Sequence, residues 1–111
     1  MPTRQERLAL NQAMFRIANE RLSAWPERQG HDPAEPAAYY CECSRTECRD
    51  RLWLTHDEYE AVRTDSRRFA IVPGHEYTEV ERVVAERRGH AVVEKYAAVA
   101  GVVEASDPRR G

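Results

Sequence analysis

Three cysteines are all this chain has, and an odd number cannot all pair within one molecule. A secreted disulfide framework is therefore not expected, and a reducing cytoplasm is the expected compartment. No apolar run approaches the roughly 20 residues of a membrane span. The first residues include Arg4, Glu6 and Arg7 in place of the apolar stretch of a secretory leader. Lysine is almost missing: Lys95 stands alone among arginines, which together with many Ala, Val and Glu reads as a high-GC coding bias. A large excess of charge of either sign is missing too. A formal net charge of −2 and a pI near 6.1 give no general pull toward nucleic acid or anionic membrane. No Gly-rich phosphate loop, no Gly-x-Ser-x-Gly elbow and no nucleophile–base pair occurs, so the expectation is a protein without catalytic residues.

What is present fits one small globular domain. A chain of 111 residues has room for one modest core, and 41% apolar with 32% charged residues suits a globular, water-exposed fold. The reading divides it into an N-terminal amphipathic helix (1–25), a Pro-rich linker (26–38), a core (39–97) and a flexible tail (98–111). The helix starts on a Thr3–Glu6 capping box and stops at Pro26. Leu8, Leu10, Met14, Phe15, Ile17, Ala18, Leu22 and Trp25 cover about half its circumference, wider than one contact needs. In the core, strands are expected at 39–43, 51–55 and 68–72, with a short helix near 57–64 opened by the Thr55–Glu58 capping box. Residues 80–87 and 90–97 are expected to form a hairpin about the Arg88–Gly89 turn, although Val80, Val83 and Val84 also have helical spacing.

The cysteines lie within eight residues, as Cys41, Cys43 and Cys48. One buried thiol is ordinary core, but three so close, with polar residues between them, are hard to explain as packing. Thiolates at this spacing plus one imidazole make a tetrahedral structural Zn²⁺ site. A strained Cys41–Cys43 disulfide and an iron–sulfur cluster are the rival readings. For the fourth ligand, strands two and three are taken as antiparallel neighbours, so that strand three returns to the knuckle and delivers His75, with Gly74 allowing a sharp turn. His56 falls at the far end of that hairpin, His31 in the linker and His90 in a turn. Cys₃His fills every zinc position, which argues for a clamp over a hydrolytic centre. Glu42 and Glu76 are candidate outer partners of the zinc histidine. The fold class is thus α+β: an N-terminal helix on a small antiparallel sheet, with a zinc knuckle at a hairpin tip.

Together these residues resemble a family of small proteins from high-GC, actinobacterial-type genomes with a Cys-x-Cys-x₄-Cys … Gly-His-Glu zinc signature. The match includes Glu6-Arg7-Leu8-Ala9, Asn11, Phe15-Arg16, Asn19-Glu20-Arg21, Leu54-Thr55, Glu58-Tyr59, Val62-Arg63, Phe69 and Val80-Glu81-Arg82-Val83-Val84. The resemblance implies that Cys41-Glu42-Cys43, Cys48 and Gly74-His75-Glu76 act as one unit. It implies no substrate, reaction or partner.

Two further features bear on partners. Asn11 sits in the middle of the helix's apolar arc, where a buried amide must be hydrogen-bonded. It either bonds a loop carbonyl within the monomer or sets the register of a helix–helix interface with Leu8, Phe15 and Leu22, to a homodimer mate or another protein. Arg45, Arg49 and Arg51 surround the knuckle near Trp53 and Tyr40. They read either as solvated ion pairs with Glu42, Glu47 and Asp50 or as a nucleic-acid surface. The expected function is a non-catalytic intracellular zinc-stabilised interaction or regulatory module. The alternatives are a zinc-finger-like nucleic-acid binder and a thiol-based redox or zinc sensor.

Overall fold

The structure is a computed structural model describing residues 2–24, 32 and 34–109. Trp25, Pro26 and His31, with most of the expected linker, lie outside the described residues. The element order is α1 (Arg4–Ala24), β1 (Ala37–Tyr40), β2 (Arg51–Leu54), α2 (His56–Arg63), β3 (Arg68–Ile71), β4 (Glu81–Arg87), β5 (His90–Lys95) and α3 (Ala97–Ala105). This is the expected α+β class, with the cysteines beside the β1–β2 hairpin.

Local rules account for most boundaries. Thr3 Oγ1 accepts from the Glu6 amide at 3.1 Å while Glu6 returns to the Thr3 amide, closing the first capping box. Thr55 and Glu58 close the second at the start of α2. The Arg88–Gly89 turn joins β4 to β5 as a hairpin, so the β-branched residues, not the helical spacing of the valines, decide that segment.

The sheet topology corrects one expectation. Strands two and three are not paired: β1 and β2 form their own antiparallel ribbon, while β5 lies between β3 and β4 in a second sheet. The chain crosses from one sheet to the other at the cysteines. Cys41 N–H donates to the Asp50 carbonyl as a last rung of the ribbon, then Glu42 N–H donates to the Ala70 carbonyl on β3. Regular pairing therefore ends at Tyr40, and Cys41 and Cys43 sit in an irregular segment and do not share a strand face.

The two helices corrected most are α1 and α3. The inward face of α1 is Leu8, Ala9, Gln12, Ala13, Arg16 and Asn19, whereas Leu10 and Met14 point to water at 40% and 66% exposure. Polar side chains face inward because the core offers them partners. Arg16 donates to the Ser66 and Val103 carbonyls, each at 2.6 Å, and stacks 4.5 Å above the Phe69 ring. Asn19 clamps the free edge of β1, accepting from Tyr40 N–H and donating to Tyr40 O. Where a tail is expected from residue 98, α3 packs on α1 with Val99, Ala100 and Val103 buried. Arg16 meets one of the carbonyls that a helix C-terminus leaves open. Beyond α3, Asp107 pairs with Arg63, which also holds Glu20 of α1.

Candidate metal centre

Cys41, Cys43, Cys48 and His75 converge, with one donor atom from each lying within 4.8 Å of every other. Two segments supply them. The knuckle 41–48 is closed by a turn in which Cys48 N–H donates to the Arg45 carbonyl. His75 arrives on a second turn, Val72-Pro73-Gly74-His75, closed by His75 N–H to Val72 O at 3.0 Å. Pro at the second position and Gly at the third are what a type II turn requires, and Gly74 has φ +94°. β3 thus delivers His75 to the knuckle although it does not pair with β2. The guide is Glu42 docking on Ala70, not strand pairing.

The distances match an ion. A tetrahedral centre with metal–sulfur bonds of about 2.3 Å and metal–nitrogen bonds of about 2.05 Å separates nitrogen from sulfur by about 3.6 Å. His75 Nδ1 lies 3.5 Å from Cys41 Sγ and 3.8 Å from Cys48 Sγ. His75 Nε2 points away from the sulfurs and lies 3.5 Å from Asp50 Oδ2. A carboxylate there can orient the ring so that Nδ1 faces the sulfurs.

One sulfur also receives a backbone amide: Val72 N–H donates to Cys41 Sγ at 3.1 Å. Amide donors stabilise thiolate over thiol. A hydrogen bond from the Cys41 thiol holds Cys43 well below the usual thiol range, and that same bond and burial push Cys41 up. Burial pushes Cys48 up as well. A cation bound here would displace the protons that the thiols still carry. All three cysteines are free, so the Cys41–Cys43 disulfide does not form here.

The expected outer partners are placed differently. Glu42 is fully buried and turns its carboxylate away from His75. It accepts from Ala70 N–H at 3.0 Å, Asn19 Nδ2 at 2.9 Å and Tyr59 Oη at 3.2 Å. It ties the knuckle to α1, α2 and β3 in one step. Glu76 has a buried carboxylate oxygen with no hydrogen-bond partner among the described residues, and Asp50 occupies the place expected for it beside His75. Asp50 was hidden because its only signal is its position two residues after Cys48. Of the expected interface residues, Leu8 is core and Phe15 and Leu22 are half-buried. Asn11 donates to the Ser44 carbonyl at 3.2 Å, the intramolecular one of its two readings. His56 pairs with Glu60, and His90 is buried under the β4–β5 turn, so neither joins the cluster.

No protein-family model matches the chain, nor does any curated protein or solved structure. No helix among the described residues is long and apolar enough to cross a membrane. The chain brings together three sulfurs and one nitrogen within 4.8 Å of one another, a group that could hold a metal ion.

Proposed function

We propose that this protein is a non-catalytic, zinc-stabilised interaction or regulatory module of the cytoplasm. The observation that carries the reading is the convergence of the four donors within 4.8 Å. Zn²⁺ suits a Cys₃His tetrahedron, and four protein ligands leave no position for water or substrate. The Val72 amide on Cys41 Sγ and the Asp50 carboxylate near His75 Nε2 support a bound ion, the first by favouring thiolate and the second by orienting the ring. A Cys₃His zinc ion would carry one net negative charge. A reducing compartment keeps such thiolates available. Binding to a protein partner through α1 rests on its outer face, where Leu10 and Met14 are exposed.

The test is replacement of the native ion by Co²⁺. A tetrahedral visible spectrum with sulfur charge-transfer bands, one ion per chain and no change on adding cyanide or thiocyanate is the expected result. An octahedral spectrum, bound iron, or a spectrum that responds to small anions overturns the reading.

A further inference from the structure

The β1–β2 ribbon has two faces. Tyr39, Leu52 and Leu54 point into the core, so Ala38, Tyr40, Arg51 and Trp53 form the outer face. Trp53 is 56% exposed, and the residue across from it is Ala38, too small to cover an indole. Across from Tyr40 is Arg51, whose guanidinium lies flat above the ring at 4.1 Å from its centroid. Arg49 continues the same alternation toward the knuckle. Its guanidinium is held by the Thr46 and Cys48 carbonyls at 2.8 and 3.0 Å. At the other end, Trp53 N–H donates to the Gly89 carbonyl, which sets the exposed Arg88–Gly89 turn beside the tryptophan.

The charge on this face is not neutralised. Some arginines elsewhere, Arg4, Arg67 and Arg109 among them, are paired with carboxylates, while others such as Arg7 and Arg87 bond only backbone carbonyls among the described residues. Arg49, Arg51 and Arg88 have no carboxylate partner among the described residues, and the outer face of the ribbon carries no acidic side chain. The net charge of −2 therefore hides a local basic strip with aromatic surface inside it. An open indole and a guanidinium plane are platforms on which unpaired bases stack, and flanking arginines are placed for phosphates. A duplex keeps its bases stacked inside and would use the arginines alone.

We propose that the outer face of the β1–β2 ribbon binds single-stranded nucleic acid, with Trp53 and the Arg51–Tyr40 stack meeting bases and Arg49 and Arg88 meeting phosphates. From Arg49 to Trp53 the strip runs about 13 Å, so it engages a few nucleotides. This surface borders the metal centre at Arg49, whose guanidinium is held by the Cys48 carbonyl.

The experiment is fluorescence anisotropy with the zinc-loaded full chain and fluorescein-labelled oligo(dT) and oligo(U) of about 12 nucleotides, a length in the range that a small single-strand site covers. At about 50 mM salt the expected dissociation constant is about 1–100 µM, with a log–log salt slope of about −1.4 for the two phosphate contacts. Trp53→Ala is expected to weaken binding about tenfold or more, Arg51→Glu similarly, and Met14→Glu not at all. Binding of oligo(U) alone assigns the site to RNA and of oligo(dT) alone to DNA, and either supports the proposal. No saturation overturns it, as does equal binding of a duplex of the same length, or variants that bind like the parent. Trp53-dependent binding of an acidic peptide in place of the oligonucleotides also overturns it, assigning the face to a protein. Melting temperature and zinc content measured on the same samples separate loss of the surface from loss of the fold.

Discussion

Replacing His75 by Ala should lower stability by a bounded amount, and the bound comes from chain topology. In the unfolded chain, Cys41, Cys43 and Cys48 remain within eight residues and can still hold zinc, so binding to them favours the folded state only weakly. His75 differs. It lies 27 residues beyond Cys48, and an unfolded chain must close that loop before the imidazole reaches the ion. Loop-closure entropy for 27 residues is about 3.5 kcal/mol at room temperature. The fold has already closed the loop, through the Glu42–Ala70 hydrogen bonds and the turn at Gly74. The metal–His75 bond can therefore favour the folded state by up to about 3.5 kcal/mol. At about 2.1 cal/mol/K per residue over this chain, that is a fall in melting temperature of roughly 15 °C. Differential scanning calorimetry in micromolar free zinc measures it, with His56→Ala as a control that should not move. Wild type in EDTA should melt at or below His75→Ala in zinc. A fall well beyond about 15 °C for His75→Ala, no fall at all, or a wild-type melt unchanged by verified zinc removal, would refute the reasoning.

Three other outcomes are expected. Glu42→Ala strands the Ala70 amide, the Asn19 amide and the Tyr59 hydroxyl in the core and should cost about 3 kcal/mol or more in urea denaturation. A loss below about 1 kcal/mol would show that Glu42 is not the hub of that network. Asp50→Ala should weaken zinc binding about tenfold in competition with a chromophoric chelator, the lower end of such effects because Asp50 is largely exposed. Unchanged affinity would remove Asp50 from the site. Gly89→Ala places a Cβ 2.9 Å from the Trp53 carbonyl at φ +92° and should cost about 1–3 kcal/mol. A neutral result would mean that the β4–β5 turn does not rest on β2 as described.

Some of this could be read from the chain because it depends on neighbours in sequence. Both capping boxes, the Pro73–Gly74 turn and the β4–β5 hairpin follow from residues a few positions apart. The face of α1 was misjudged because hydrophobicity alone does not rank inward residues. Arg16 and Asn19 bury better than Met14 once backbone groups of β1, α3 and the turn before β3 are present to bond them. α3 was missed for a related reason. Its Val99, Ala100 and Val103 have helical spacing, but a segment that small is a stable helix only when α1 covers it. The pairing of β3 with β5 in place of β2 is a contest between distant strands, and nothing local expresses its result.

The metal centre divides along the same line. Three soft donors in eight residues and a Gly-His turn are properties of composition and spacing, so the sequence by itself determined the donor types of a group that could hold a metal ion. Which carboxylate stands behind His75, which amides reach the sulfurs from outside the knuckle, and how His75 arrives were decided only by tertiary structure. Those contacts join segments tens of residues apart, and their geometry exists only after the core has closed the loops between them.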